Sequence, residues 1–509
     1  MSSTAEEAAD PLTEPLLSNT TTTTISSSTS DNTTSRIMVD FPKEDVPLLV
    51  PPEWLPSCSD DDGEQPQTCS FQYDADRNLL KLVTSSNGVV LDVIDPEDII
   101  GVTVEIKLNA SAAALEGESS AIRATTTSND ENDNDRPSNA PATDTPTDTQ
   151  SNASLVIYAY PRQDPKHVSS NAGILARFCG LGKIHPKPNP NYKRPVGEEW
   201  RQWGPRYAFH RRFQVVASED VGALNALVKA IKQAADILPL QENRGRMLVV
   251  INPKSGPKCN AEEIYENSVN ILLEQAGIDH DICVTNHPYH AKERVAKHAT
   301  TDDEEKDISE YTAIVCMGGD GIVHEVLQGI QERPDAQDIM KKISIGILGC
   351  GTSNGMAKSI AEESQQSSSI VDAAFLIAKG KTKDTDLSLY NTASKSYWSF
   401  LTFSWSMLAD IDIDSELVRF LGPFRFDIWG LWCTIKMKKY RAKFSYLPGK
   451  HSKVNMPNSL SDQVPGDWVT EEDEFLVFWA SHVSHAAEKT HNSPMSRLDD
   501  GVFHILVVR

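Results

Sequence analysis

Three glycine-containing turns, each placed directly after a short apolar run, constrain the fold of this chain more than any other feature. They lie within residues 249–256, 314–321 and 345–355. Strand-like runs alternate with helical spacing around them, at 247–252, 261–275, 280–285, 291–299, 312–317, 322–331 and 344–348. Such alternation is typical of a parallel α/β sheet, which binds ligands at the carboxyl ends of its strands. We therefore expect the three turns to lie together at a ligand site.

The first two turns carry groups suited to phosphate. The first reads Asn252-Pro253-Lys254-Ser255-Gly256, in which a lysine follows a buried strand. The second reads Gly318-Gly319-Asp320-Gly321, whose glycines let backbone N–H groups approach an anion at a helix N-terminus. Three roles stay open for its aspartate: capping the helix, binding magnesium, or taking a proton from an acceptor hydroxyl.

The third turn combines glycine, hydroxyl and amide side chains. It contains Gly351-Thr352-Ser353-Asn354, again after a strand-like run. A helix cap at Ser353 or Asn354 is the alternative interpretation of this turn. The order of all three turns within about one domain length favours a common phosphate site over coincidence.

The composition and hydrophobic pattern of the chain predict four regions in its 509 residues. Residues 1–36 are rich in Ser, Thr and acidic side chains and are expected to be disordered. Residues 37–239 combine short strands with one helix at 220–238, which predicts a pleckstrin-homology-like β-domain with a disordered insert at 109–152. The remaining regions are an α/β nucleotide-binding lobe at 245–383 and a β-rich lobe at 384–509.

Composition restricts partners and compartment. Acidic residues outnumber Lys and Arg by 72 to 48, which argues against a protein that coats nucleic acid. A local basic stretch at 177–212 could meet anionic lipid, although a solvated loop is the simpler interpretation. The eight cysteines are scattered, and no apolar run approaches the ~18 residues of a membrane-spanning helix. These features predict a cytoplasmic protein that associates peripherally with membranes.

The three turns resemble the nucleotide-binding loops of the diacylglycerol kinase and sphingosine kinase superfamily, and the resemblance covers roughly residues 247–509. It implies that the first two loops hold the phosphates of ATP, which brings Mg²⁺ with it. It implies further that Asp320 is the catalytic base and that Thr285 and Glu325 lie at the nucleotide. No metal site of the protein's own is predicted, because His482, His485 and His491 have mixed loop spacing.

The second lobe resembles the substrate segment of sphingosine kinases over residues 408–426. By this resemblance Asp412 holds the amine of a sphingoid base, with Asp410 and Thr402 near the lipid head group. Arg419 and Arg425 would reach the nucleotide phosphates. Without the family, Asp410, Asp412 and Asp414 alternate like the solvated face of a strand.

The resulting hypothesis is an ATP-dependent kinase that converts a sphingoid long-chain base to its 1-phosphate. Its expected fold is an α/β nucleotide-binding lobe followed by a β-sandwich lipid lobe. That sandwich is expected to be incomplete, because family members continue past the strand matching 502–508. A ceramide or diacylglycerol kinase and a catalytically inactive lipid-binding protein are the alternatives. The cysteine-rich motif of ceramide kinases is absent, and a homodimer is left open.

Overall fold

The computed structural model describes most of the chain outside its polar segments. The described residues are 48–50, 67–74, 77–85, 88, 90–107, 152–162, 201–202, 204–215, 221–237, 245–255, 260–298, 305–351, 353–421, 424–449, 457 and 462–509. The predictions for 1–36 and for most of the insert at 109–152 lie outside these ranges. Most of the basic stretch, from 177 to 200, lies outside them too.

The N-terminal region forms a seven-stranded antiparallel sheet in the order β4-β3-β2-β1-β7-β6-β5. Helix α1 (Val221–Ala234) packs on it through Leu224, Leu227 and Ile231, which share a buried cluster with the strands. One face of the sheet is therefore closed by this helix. The strands are Leu48–Val50 (β1), Gln67–Asp74 (β2), Leu79–Thr84 (β3), Val90–Ile94 (β4), Ile99–Lys107 (β5), Asn152–Ala159 (β6) and Phe209–Val215 (β7).

The next region is a four-stranded parallel sheet in the order β11-β10-β8-β9, as the alternating pattern predicted. Its strands are Met247–Ile251 (β8), His280–Val284 (β9), Ala313–Gly318 (β10) and Ser344–Gly349 (β11). Every residue of β8 and β10 is buried, because helices cover both faces of a parallel sheet. The prediction of an α/β lobe with a parallel sheet is thus confirmed.

The helices of this lobe are more numerous than the sequence pattern indicated. They are Ala261–Ile264 (α2) and Asn270–Gln275 (α3), joined by a π-helical turn, His290–Ala296 (α4), Asp320–Gln331 (α5), Ala336–Lys342 (α6), Gly355–Glu363 (α7) and Ile370–Lys379 (α8). The last three were not predicted.

The N-terminal sheet is joined to the α/β lobe at both ends of α8. Near the start of the helix, Arg206 donates from its guanidinium to Asp98 (2.6 Å) and from its backbone N–H to Asp372 (3.0 Å). At the other end, Lys379 Nζ donates to the carbonyls of Ala235 (2.6 Å) and Ile99 (3.2 Å). Burial lowers the pKa of Lys379 to about 8. The two regions therefore share a junction of buried cations.

Apolar packing reinforces this junction. Ile100 and Tyr160 of the N-terminal region lie in the same buried cluster as Val249, Leu272 and Phe375 of the α/β lobe. The guanidinium carbon of Arg206 lies 3.8 Å from the centre of the Phe375 ring. The N-terminal region thus completes one apolar face of the parallel sheet.

The second lobe contains three small antiparallel sheets, β12-β13, β14-β17-β18 and β15-β16. Their strands are Ser388–Asn391 (β12), Ser396–Ser399 (β13), Thr402–Ser406 (β14), Tyr440–Tyr446 (β15), Val469–Phe475 (β16), Val477–Ser481 (β17) and His504–Val508 (β18). Residues 396–404 read as one strand-like run in the sequence but belong to two strands, β13 and β14. The run breaks after Ser399, because Phe400 turns into the apolar cluster beside the parallel sheet.

Helices also occur in this lobe, where only strands were predicted. Helix α9 spans Met407–Asp414, a 3₁₀ segment covers Ser415–Leu421, and α10 spans Phe424–Lys436. The alternative of a strand through the three aspartates is therefore wrong. Within the described ranges, no helix has the length and apolarity needed to cross a membrane.

Candidate functional site

The turns after β8, β10 and β11 meet at the carboxyl edge of the parallel sheet. The Asn252 N–H donates to the Met317 carbonyl (3.0 Å), and the Cys350 N–H donates to the Gly318 carbonyl (3.0 Å). Beyond β9, the Thr285 N–H donates to the Ile251 carbonyl (2.8 Å). The strand order thus brings together the predicted loops and the predicted threonine, as parallel pairing requires.

Two of the loops approach each other more closely than side chains would permit. A Cβ atom added at Gly351 would lie 2.4 Å from Gly319 Cα and 2.9 Å from the Gly319 backbone nitrogen. Such close backbone approach is available only to glycine. The glycines therefore bring the backbones of the second and third loops into contact at the edge of the sheet.

Asp320 lies where these loops meet, and its carboxylate caps a helix other than its own. It begins α5, yet its oxygens accept hydrogen bonds from the Gly355 N–H (2.9 Å) and the Met356 N–H (3.1 Å) in the first turn of α7. Burial raises the pKa of the Asp320 carboxyl, and the two N–H groups partly oppose that rise. A carboxylate has about four lone-pair positions, so two remain for a proton or a cation.

A segment of the second lobe covers the other side of the same helical turn. This segment, residues 484–490, follows β17, and from the sequence only its His485 was considered, as a metal ligand that was not expected to bind. The Glu488 N–H donates to the Ser353 carbonyl (2.6 Å), and Ala487 forms a β-bridge with Asn354. The third loop is therefore held between Asp320 and the second lobe.

The other residues predicted to bind the nucleotide differ in how exposed they are at this edge of the sheet. Lys254 is exposed, and its N–H donates to Asn252 Oδ1 (3.1 Å) in a local turn. Glu325 is half-buried in α5. Gly321 is exposed, and an added Cβ there would meet nothing within 4 Å. Gly256, Thr352 and the side chain of Arg419 lie outside the described residues.

The predicted substrate residues occupy α9 and the strand before it. The Tyr440 hydroxyl donates its one hydrogen to the Asp410 carboxylate, whose two oxygens lie 2.8 and 2.6 Å from the hydroxyl oxygen. Asp412 is exposed, and within the described ranges its carboxylate has no hydrogen-bond partner. Thr402 is half-buried in β14, and Arg425 pairs with Glu416 at 2.5 Å. The structure thus places Asp412 at the surface and leaves its carboxylate available.

A glutamine that sequence reasoning missed connects the two lobes. Gln328 in α5 donates through Nε2 to the Trp398 carbonyl (2.8 Å) and accepts through Oε1 from the Trp398 N–H (3.2 Å). This reciprocal pair ties the helix that begins at Asp320 to β13 of the second lobe. Hydrophobic periodicity could not reveal this pair, because a glutamine within a helix gives no sign of a partner distant in sequence.

Comparison with known proteins finds sequence similarity across this site. Residues 246–390 match the model of the diacylglycerol kinase catalytic domain. Sphingosine kinase 1 of Arabidopsis thaliana is 31% identical over 284 residues, which cover 52% of this chain and 56% of that protein. Sphingosine kinase 1 of Rattus norvegicus is 28% identical over 286 residues, with 52% and 72% covered. The chain therefore spans a little over half the length of the plant relative.

Two further proteins, one from yeast and one from a bacterium, are also similar to this chain. Sphingoid long chain base kinase 5 of Saccharomyces cerevisiae is 31% identical over 218 residues, which cover 42% of this chain and 30% of that protein. A crystal structure of a diacylglycerol kinase from Bacillus anthracis is 18% identical, with a TM-score of 0.36 and 52% and 74% of the chains covered. The structural likeness is too low to support any inference by itself.

Proposed function

We propose that this chain, in which residues 246–390 match the diacylglycerol kinase catalytic domain, transfers the γ-phosphate of ATP to the primary hydroxyl of a sphingoid base. One observation carries the proposal: the half-buried Asp320 carboxylate lies where the glycine loops meet, and two of its lone-pair positions are uncommitted. A raised pKa suits a group that takes a proton from an acceptor hydroxyl.

The nucleotide would occupy the carboxyl edge of the parallel sheet. Backbone N–H groups of the loops and the N-terminus of α5 favour phosphate there. We assign Asn252–Ser255, Gly318, Gly319, Gly321, Thr285, Glu325, Gly351, Ser353 and Asn354 to this nucleotide site, with Gly256, Thr352, Arg419 and Arg425 assigned by resemblance. Mg²⁺ bound with ATP would neutralise phosphate charge, and the remaining lone pairs of Asp320 fit such a cation.

The sphingoid base would lie along α9. Asp412 offers an exposed carboxylate for its amine, while Asp410 is already engaged by Tyr440. Exposed apolar side chains flank this position, among them Ile413 and Leu417, and they suit a long hydrocarbon chain. A neutral diacylglycerol would leave the carboxylate without a charged partner.

We also propose that the N-terminal sheet with α1 is a pleckstrin-homology-like module that supports peripheral membrane contact. The order of strands followed by one closing helix supports this assignment. Flotation of the chain with anionic vesicles would check the membrane contact, and failure to float would argue against it.

Radiolabelled phosphate transfer from ATP, with sphingosine, ceramide and diacylglycerol offered in parallel, tests the proposal. Sphingosine should be phosphorylated in preference to the two neutral lipids. A preference for ceramide or diacylglycerol would reject the sphingoid assignment. ATP binding without turnover of any lipid would indicate a catalytically inactive lipid-binding protein.

The substitution Asp412→Asn should lower kcat/KM for sphingosine by about ten- to hundredfold, because a hydrogen bond between charged groups contributes roughly 1.5–3 kcal/mol. The slower turnover of diacylglycerol, if measurable, should not change. Asp414→Asn is the matched control, since Asp414 is an exposed aspartate of the same helix. Equal losses in both variants would show that general surface charge, rather than an amine contact, sets the rate.

A further inference from the structure

We propose that Ser359 is a positioning residue, which couples the 484–490 segment of the second lobe to the carboxylate of Asp320. The proposal rests on the proposed role of Asp320 in phosphate transfer. It concerns a buried hydroxyl that lies one helical turn behind the loops and that no nucleotide or lipid contact requires.

The hydrogen bonds form a short chain through one peptide unit. The Gly355 N–H donates to Asp320, and the Gly355 carbonyl accepts from Ser359 Oγ (2.9 Å). Ser359 Oγ in turn accepts from the His485 N–H (3.1 Å). The second lobe and the proposed catalytic carboxylate are thus linked through Gly355 and a single hydroxyl.

Because Ser359 is buried, loss of its hydrogen bonds would destabilise the contact between the two lobes. The residue is 2% exposed, so its hydroxyl has no access to bulk water. Removing the hydroxyl would leave the buried His485 N–H without the partner it has in the structure. A serine that bonds the carbonyl four residues back slightly destabilises a helix, so the helix itself gives no reason for a serine here.

Close steric contact also joins Gly355 to the 484–490 segment. A Cβ atom added at Gly355 would lie 2.6 Å from the Ala486 carbonyl oxygen and 2.9 Å from that of His485. The 484–490 segment therefore lies directly against the first turn of α7. A shift of this segment toward α7 would therefore displace the turn whose two N–H groups hold Asp320.

The segment is also connected to the proposed lipid site. It follows β17, whose Ser481 pairs with Thr402 of β14. Thr402 is the residue assigned to the neighbourhood of the lipid head group. We therefore infer that the position of β17 sets the orientation of Asp320 through Ser359.

The experiment compares wild type, Ser359→Ala and Ser364→Ala. Ser364 is the matched control because its hydroxyl also bonds the carbonyl four residues back (Ile360, 2.6 Å) but, among the residues that the structure describes, bonds nothing in the second lobe. Ser359→Ala should lower kcat by about fivefold, the effect of one hydrogen bond of about 1 kcal/mol. KM for ATP should change less than twofold, and Ser364→Ala should resemble wild type.

Amide hydrogen exchange at Gly355 and Met356 supplies a readout that does not need turnover. Exchange should be faster in Ser359→Ala than in wild type or Ser364→Ala. Unchanged exchange, or faster exchange with unchanged kcat, would overturn the positioning role. Faster exchange in a protein that phosphorylates no lipid would refute the proposed function and leave the coupling intact.

A second variant covers the case in which Ser359→Ala folds poorly. Ser359→Cys retains a side chain at this site but offers only a weak donor and acceptor. It should show faster exchange at Gly355 and a fall in kcat smaller than that of alanine. Wild-type exchange in a folded Ser359→Cys protein with lowered kcat would contradict the coupling.

Discussion

Asp320→Asn is expected to lower the rate of phosphate transfer by about 10²- to 10⁴-fold, the range for loss of a general base. An amide cannot take the proton of an acceptor hydroxyl. It also has one acceptor oxygen, so it cannot satisfy the N–H groups of Gly355 and Met356 as the carboxylate does. Initial rates at saturating ATP and sphingosine measure the loss.

The control for this substitution is Asp338→Asn, which changes an exposed aspartate in α6 of the same lobe. It should leave the rate at the wild-type level. A variant at Asp320 that retains more than about a tenth of the wild-type rate would contradict the assignment of the base, since general-base catalysis contributes at least about a hundredfold.

The pH dependence of the wild-type rate offers a further check on Asp320. Because burial raises the pKa of this carboxyl, the ionised form that accepts a proton is lost at a higher pH than for an ordinary aspartate. The acid limb of the pH–rate profile should therefore have an apparent pKa above about 3.9, the ordinary value for aspartate. Asp320→Asn should lack this limb in its residual rate.

Arg206→Met should lower the free energy of unfolding by about 3–5 kcal/mol, the effect of removing one partner from a buried ion pair. The guanidinium is paired with Asp98 at 2.6 Å and lies against Phe375, while the Asp372 side chain beside it is fully buried. Methionine keeps much of the apolar stem but leaves the carboxylates without this cation. Urea unfolding at pH 7 measures the difference.

A surface ion pair provides the comparison. Arg201 pairs with Glu362 at 2.5 Å, but about half of its side chain is exposed. Arg201→Met should therefore cost no more than about 1 kcal/mol. Equal effects of the two substitutions would show that the N-terminal sheet is held to the α/β lobe by apolar packing alone.

The parallel sheet and its phosphate loops could be predicted because their signals are local. Continuous apolar runs such as Met247–Ile251 mark buried strands, and glycines at 318 and 351 mark close backbone approach. Parallel pairing then brings the carboxyl ends of these strands to one edge without further information. The family resemblance of these loops is confirmed by the match over 246–390.

The local sequence pattern indicated the wrong secondary structure where tertiary packing decides the conformation. The run at 396–404 has uniform strand propensity, yet it breaks where Phe400 enters a neighbouring core. The alternating aspartates of α9 have the period of a strand but lie in a helix whose Asp410 bonds to Tyr440. In both cases a contact distant in sequence outweighs the preference of the segment itself.

The sequence by itself determined the α/β alternation, the three loops and the chemical groups they present. Only the tertiary structure showed that Asp320 caps α7, 35 residues later, that Ser359 bonds His485 across 126 residues, and that Arg206 bonds Asp372 across 166. The physical reason is that periodicity and turn chemistry report interactions between near neighbours in the chain. Hydrogen bonds between buried groups far apart in sequence arise only when the packed cores bring them together.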